Sequence, residues 1–130
     1  MIWLVHSAIV ILYPRTAALP GAADCDLEAF LLRFRREAAP LVWLGVVLGA
    51  VLFHLTPVFT VRVPLPAFML PPDVADRHAS RISGSRIYLV RQSIFLVKLA
   101  AGLAWGAHPD VRARFALPAL APDPGTWRQH

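Results

Sequence analysis

Most of the residue patterns that announce chemistry are absent from this chain. It holds one cysteine, Cys25, which leaves no partner for an intrachain disulfide and no cysteine cluster for zinc. The five histidines, His6, His54, His78, His108 and His130, fall at no H-x-x-x-H or H-E-x-x-H spacing. No two of them are therefore set one helical turn apart to share a metal. There is no G-x-G-x-x-G, no Walker-type phosphate loop and no G-x-S-x-G, and Ser83-Gly84-Ser85 reads as a helix break. Asp24, Asp26, Glu28 and Glu37 sit at or along one helix, and Asp73 and Asp76 open another, where dipole and solvation account for them. No stretch alternates apolar and polar residues beyond a few positions, which argues against sheet, and no internal repeat is visible. The residues alone point to no catalytic group, no metal ligand and no cofactor site.

Charge is scarce too. Charged residues make up 16% of the chain, against roughly a quarter in an average soluble domain, while 57% are hydrophobic and mean hydropathy is +0.55. A single domain of 130 residues has too little interior to hide that much apolar surface, so lipid or a larger protein must cover the rest. The formal charge is +5, and most of the thirteen cations sit at Arg33, Arg35 and Arg36, at Arg77, Arg81, Arg86, Arg91 and Lys98, and at Arg112, Arg114 and Arg128. All of these are mixed with apolar residues. A nucleic-acid face needs a dense basic surface with stacking aromatics on a polar body, so a membrane surface or a protein partner fits better than nucleic acid.

Prolines divide the sequence, because proline removes a donor and resists helix interiors. The predicted class is all-α: one small domain of about four to five helices with Pro-rich connections. Residues 1–39 hold the N-terminal helices, 40–61 one very apolar helix, 72–117 the C-terminal helices, and 118–130 an extended tail. The apolar start lacks a basic region before it and a twin arginine, and Asp24 precedes Cys25. It is therefore expected as a first helix packed in the fold rather than a signal. In 26–39, Leu27, Phe30, Leu31 and Phe34 recur at i, i+3, i+4, i+7, a core-facing stripe that leaves Arg33 and Arg36 off it.

Two segments raise the question of a bilayer. The run 40–61 has His54 as its only titratable group and is long enough to span, with Gly45 and Gly49 spaced for close helix contact. A transmembrane helix and a deeply buried central helix both fit it. The run from Ser85 to about Gly106 is helical in pattern but carries Arg86, Arg91 and Lys98. At a bilayer centre each cation costs about 2.5–3.5 kcal/mol even on a lenient scale. Arg91, Lys98 and Trp105 are seven apart and form one stripe, which suggests a helix held between protein elements.

Residues 70–118 resemble the small helical subunit 3 of gluconate 2-dehydrogenase and related helical chains associated with flavin-dependent oxidoreductases of the glucose–methanol–choline class. The resemblance is carried by Leu70-Pro71, Ser85-Arg86, Tyr88, Arg91, Lys98, the small residues Ala100 to Gly102, Trp105, Pro109-Asp110 and Arg112. The stretch 12–31, "LYPRTAALPGAADCDLEAFL", is similar to the family's opening. Membership implies a non-catalytic accessory subunit without a cofactor of its own, which binds and stabilises a large FAD-containing subunit, with membrane contact. Two departures stand out: the twin-arginine leader of several relatives is missing, and 40–61 is more apolar than the family pattern. Arg86, Tyr88, Arg91, Lys98 and Trp105 are the candidate partner-interface residues. For each an intramolecular role is also open, the aromatics in the core and the cations on Asp73, Asp76 or helix C-terminal carbonyls. The competing reading is a small integral membrane protein with one or two transmembrane helices.

Overall fold

The computed structural model describes residues 1–122, all of them helix, turn or irregular chain, so the all-α class holds. Seven α-helices follow in order: α1 Ile2–Leu12, α2 Leu27–Glu37, α3 Pro40–Leu55, α4 Pro57–Thr60, α5 Pro72–Ser83, α6 Tyr88–Gly106 and α7 Pro109–Arg114. Five of these have eleven residues or more, while α4 has four and α7 six. Four begin on a proline, whose fixed φ suits the first turn.

The centre is an antiparallel pair, α3 and α6, with α1 laid across both. Gly45 and Gly49 let the pair close up. A Cβ on Gly49 would stand 2.3 Å from the Ser93 carbonyl oxygen and 2.8 Å from Val97 Cγ2. One on Gly45 would meet only the tip of Leu96, at 2.6 Å. Val46, Ala50 and Phe53 of α3, Ile94, Val97 and Ala101 of α6, and Val5, Ala8 and Ile9 of α1 then form one buried core. The helix α2 adds Leu27 and Leu31, with Phe30 and Phe34 stacked at 5.8 Å beside them, so its predicted stripe faces inward as expected.

The apolar run 40–61 is not one helix. Thr56 closes α3, and the chain restarts at Pro57, which has no N–H to offer the Phe53 carbonyl four residues back. His78 of α5 supplies the missing donor: its Nε2 lies 2.7 Å from the Phe53 oxygen. With Nε2 protonated, Nδ1 accepts from the Thr60 hydroxyl at 2.5 Å, and Arg81 donates to the Thr60 carbonyl. One fully buried histidine thus ties the α3–α4 break to α5.

Helix starts differ in detail from the sequence expectation. Asp73 makes no capping bond to α5, and Asp26 occupies the N-cap of α2 without a side-chain bond. Asp24 instead accepts from the Gly21 amide at 2.9 Å and pairs with Arg15, fastening the Pro-rich loop after α1. Helix α6 starts three residues later than Ser85, whose hydroxyl accepts the Ile87 amide in a local turn. After α7 the described chain runs on to 122 without regular structure, and the remainder of the 118–130 tail lies outside the described residues.

Candidate functional site

The titratable groups that could do chemistry are separated from one another. Among the described residues no three His, Cys, Asp or Glu side chains lie close enough to hold a metal. His54 is buried and donates from Nε2 to the Leu4 carbonyl at 2.9 Å, joining α3 to α1, while its Nδ1 is enclosed without a partner. Burial lowers the pKa of both His54 and His78 below the usual imidazole value. His108 caps α7, its Nδ1 accepting the Asp110 amide. Burial pushes the Cys25 thiol up, away from the thiolate that a nucleophile needs. His130 lies outside the described residues.

What the fold does assemble is an apolar surface. On α3, Leu41, Leu48 and Leu55 recur every seven residues with Leu44 beside them, and all four are exposed, Leu41 by 78% and Leu55 by 66%. On α6, Leu89, Phe95, Leu99 and Leu103 are exposed as well. The contacts of Gly45 with Leu96 and of Gly49 with Ser93 run antiparallel, which brings the Leu55 end of α3 toward Leu89 at the start of α6, whereas Phe95, Leu99 and Leu103 line a separate groove with Tyr13. Phe59 of α4 is exposed as well, by 82%.

The five residues singled out in the sequence go to three places. Arg86 and Tyr88 are exposed where the chain enters α6, beside Leu89 and across from Leu55. Arg91 and Lys98 stand on the side of α6 away from α3. Arg91 donates to the Ser85 carbonyl at 3.2 Å and lies 5.8 Å from the centre of the Tyr88 ring. Trp105 is half-buried and engaged within the chain: its indole N–H donates to the Pro20 carbonyl at 2.8 Å, and its ring meets Tyr13 and Phe115. The seven-residue stripe explains the division. A straight helix turns about 20° per heptad relative to such a stripe, so its members pass from exposed Arg91 through half-buried Lys98 to Trp105 against the α1 loop.

The leucine face of α3 was not distinguished in the sequence, where 40–61 is apolar all round. The available signal was Gly45 and Gly49 against Leu41, Leu48 and Leu55: small residues mark the side that meets α6, and the seven-spaced leucines mark the side left largely exposed.

Length also bears on the bilayer question. With its end at Leu55, α3 is about 24 Å long and falls short of a hydrocarbon core of about 30 Å. Among the described residues α6 is the one helix long and apolar enough to cross a membrane, with 19 residues. Comparisons with family models, curated proteins and solved structures return no match.

Proposed function

We propose that this chain is a non-catalytic accessory subunit that docks through the leucine face of α3 and the neighbouring flank of α6 onto a larger, FAD-containing oxidoreductase of the glucose–methanol–choline class, at a membrane. The observation that supports docking is the row of exposed Leu41, Leu44, Leu48 and Leu55, together with exposed Leu89 on α6 and Phe59 on α4. Such a face is larger than the scattered apolar residues of an ordinary monomer surface. Covering the four α3 leucines returns about 5 kcal/mol at roughly 2 kcal/mol per fully buried leucine. Association itself costs about 4–15 kcal/mol, so the α3 row needs the α6 flank, with Arg86 and Tyr88 at its end, to hold a stable partner. The flavoprotein as partner rests on the resemblance of residues 70–118 to the small-subunit family, and the chain itself then needs no cofactor.

The test is capture of the tagged full chain from native membranes. Co-elution of a stoichiometric protein with a flavin absorbance spectrum supports the proposal. A colourless, monodisperse and stable chain alone refutes it.

A second reading, a small integral membrane protein, draws on the length of α6. Against it, Arg91 and Lys98 would bring about 2.5–3.5 kcal/mol each into the lipid. Resistance to alkaline carbonate extraction in the absence of any partner would favour this second reading.

A further inference from the structure

Along the outer side of α6 two cavities adjoin. One, of about 370 Å³, is walled by Ser83, Arg91, Gln92 and Lys98, and the next, of about 390 Å³, by Tyr13, Leu99 and Leu103. Phe95 and Lys98 line both, so the two form one groove with a cationic polar end and an apolar end. The cations at the polar end lack an anion. Helix α6 carries no Asp or Glu, and the described ion pairs, Arg15–Asp24 and Arg33–Glu37, belong to other elements. Arg91 uses one of its five N–H donors on the Ser85 carbonyl, and the half-buried Lys98 has no hydrogen bond or ion pair among the described residues.

We infer that this groove holds an anionic phospholipid at the surface of a bilayer, with the headgroup phosphate between Arg91 and Lys98 and an acyl chain laid along Phe95, Leu99 and Leu103. Charge complementarity selects the headgroup: two cations and the amide of Gln92 line the polar end where no carboxylate competes, the Ser83 hydroxyl being spent on the Ala79 carbonyl. Length fits the tail. From Phe95 to Leu103 the groove runs about 12 Å along the helix, most of the roughly 15 Å depth of one leaflet. A helix lying in the interface, apolar side in lipid and cations at the phosphates, keeps Arg91 and Lys98 out of the hydrocarbon, which a spanning α6 would not. The site is independent of the flavoprotein reading, because it lies on the side of α6 away from α3.

Flotation of the full chain with phosphatidylcholine vesicles, with and without phosphatidylglycerol, tests it in low salt. The chain is expected to float with the phosphatidylglycerol vesicles. The paired substitution Arg91→Gln/Lys98→Gln is expected to weaken that binding roughly 30-fold, the loss of two cations near an anionic surface. Lys98→Arg, which keeps the charge and guards against a folding defect, is expected to retain it. Arg35→Gln/Arg36→Gln removes the same charge from α2 and is expected to bind as the parent does. Equal binding to both vesicle types, or the same loss in the α2 pair, overturns the site. Displacement of the vesicles by inorganic phosphate alone assigns it to a free anion and overturns the lipid. None of these outcomes involves the flavoprotein, so failure here leaves the partner test intact.

Discussion

Gly49 is the tightest point between α3 and α6, and replacing it with alanine turns that geometry into a measurable cost. The added methyl would stand 2.3 Å from a backbone oxygen, that of Ser93, and 2.8 Å from Val97 Cγ2. Ser93 is held within α6 by the helix ladder, so the helices must move apart by about 1 Å to restore ordinary contact. Overpacking of this kind costs about 1–3 kcal/mol, and a backbone obstacle places it near the top of that range. Alanine recovers about 1 kcal/mol of helix propensity, leaving a net loss of about 2 kcal/mol. At about 4 °C per kcal/mol for a domain of this size, Gly49→Ala lowers Tm by about 8 °C in a circular-dichroism melt of the full chain. Gly45→Ala is the internal control. Its methyl meets only the free end of Leu96, which can rotate, so propensity and crowding offset each other to within about 0.5 kcal/mol. A Gly45→Ala variant less stable than Gly49→Ala, or two variants alike, would refute the packing argument.

The buried histidines give two further expectations. His78→Ala removes the donor that Pro57 denies the Phe53 carbonyl, together with the acceptor for Thr60, and opens a cavity. A loss of about 3 kcal/mol is expected in urea unfolding, far above the roughly 0.5 kcal/mol typical of a surface site. Because burial depresses the pKa of His54 and His78 in the folded chain, the unfolded chain takes up protons first as pH falls. Stability is full above the ordinary value of 6.5 and declines below it, until the folded-state pKa values are passed. Melts between pH 8 and pH 5 check this at about 1.4 kcal/mol per pH unit per histidine at most, and His54→Phe should flatten the slope.

Helix content, the proline boundaries and the inward stripe of α2 were legible because they depend on local spacing: Leu27 and Leu31 are buried where their period places them. The break inside 40–61 was less legible. Pro57 announced it, but whether the chain ended or kinked there depended on His78, a donor 25 residues away from the carbonyl it serves. Burial of Trp105 likewise rests on Pro20, distant in sequence, and on the slow drift of a seven-residue stripe around α6. The exposed leucine row of α3 was the least legible element. In a uniformly apolar helix, hydropathy does not separate the buried Val46, Ala50 and Phe53 from the exposed leucines; the glycine contact with α6 orients it.

The central claim is that the α3 leucines are an interface, and the direct measurement pairs the parent with Leu44→Glu/Leu48→Glu. Both side chains are exposed, so the isolated variant should melt within about 1 kcal/mol of the parent. Captured from native membranes, the parent is expected to bring down a flavin-bearing oxidoreductase with the absorbance of bound FAD, and the variant to come down colourless. Equal flavin in both eluates, or none in either, contradicts the account.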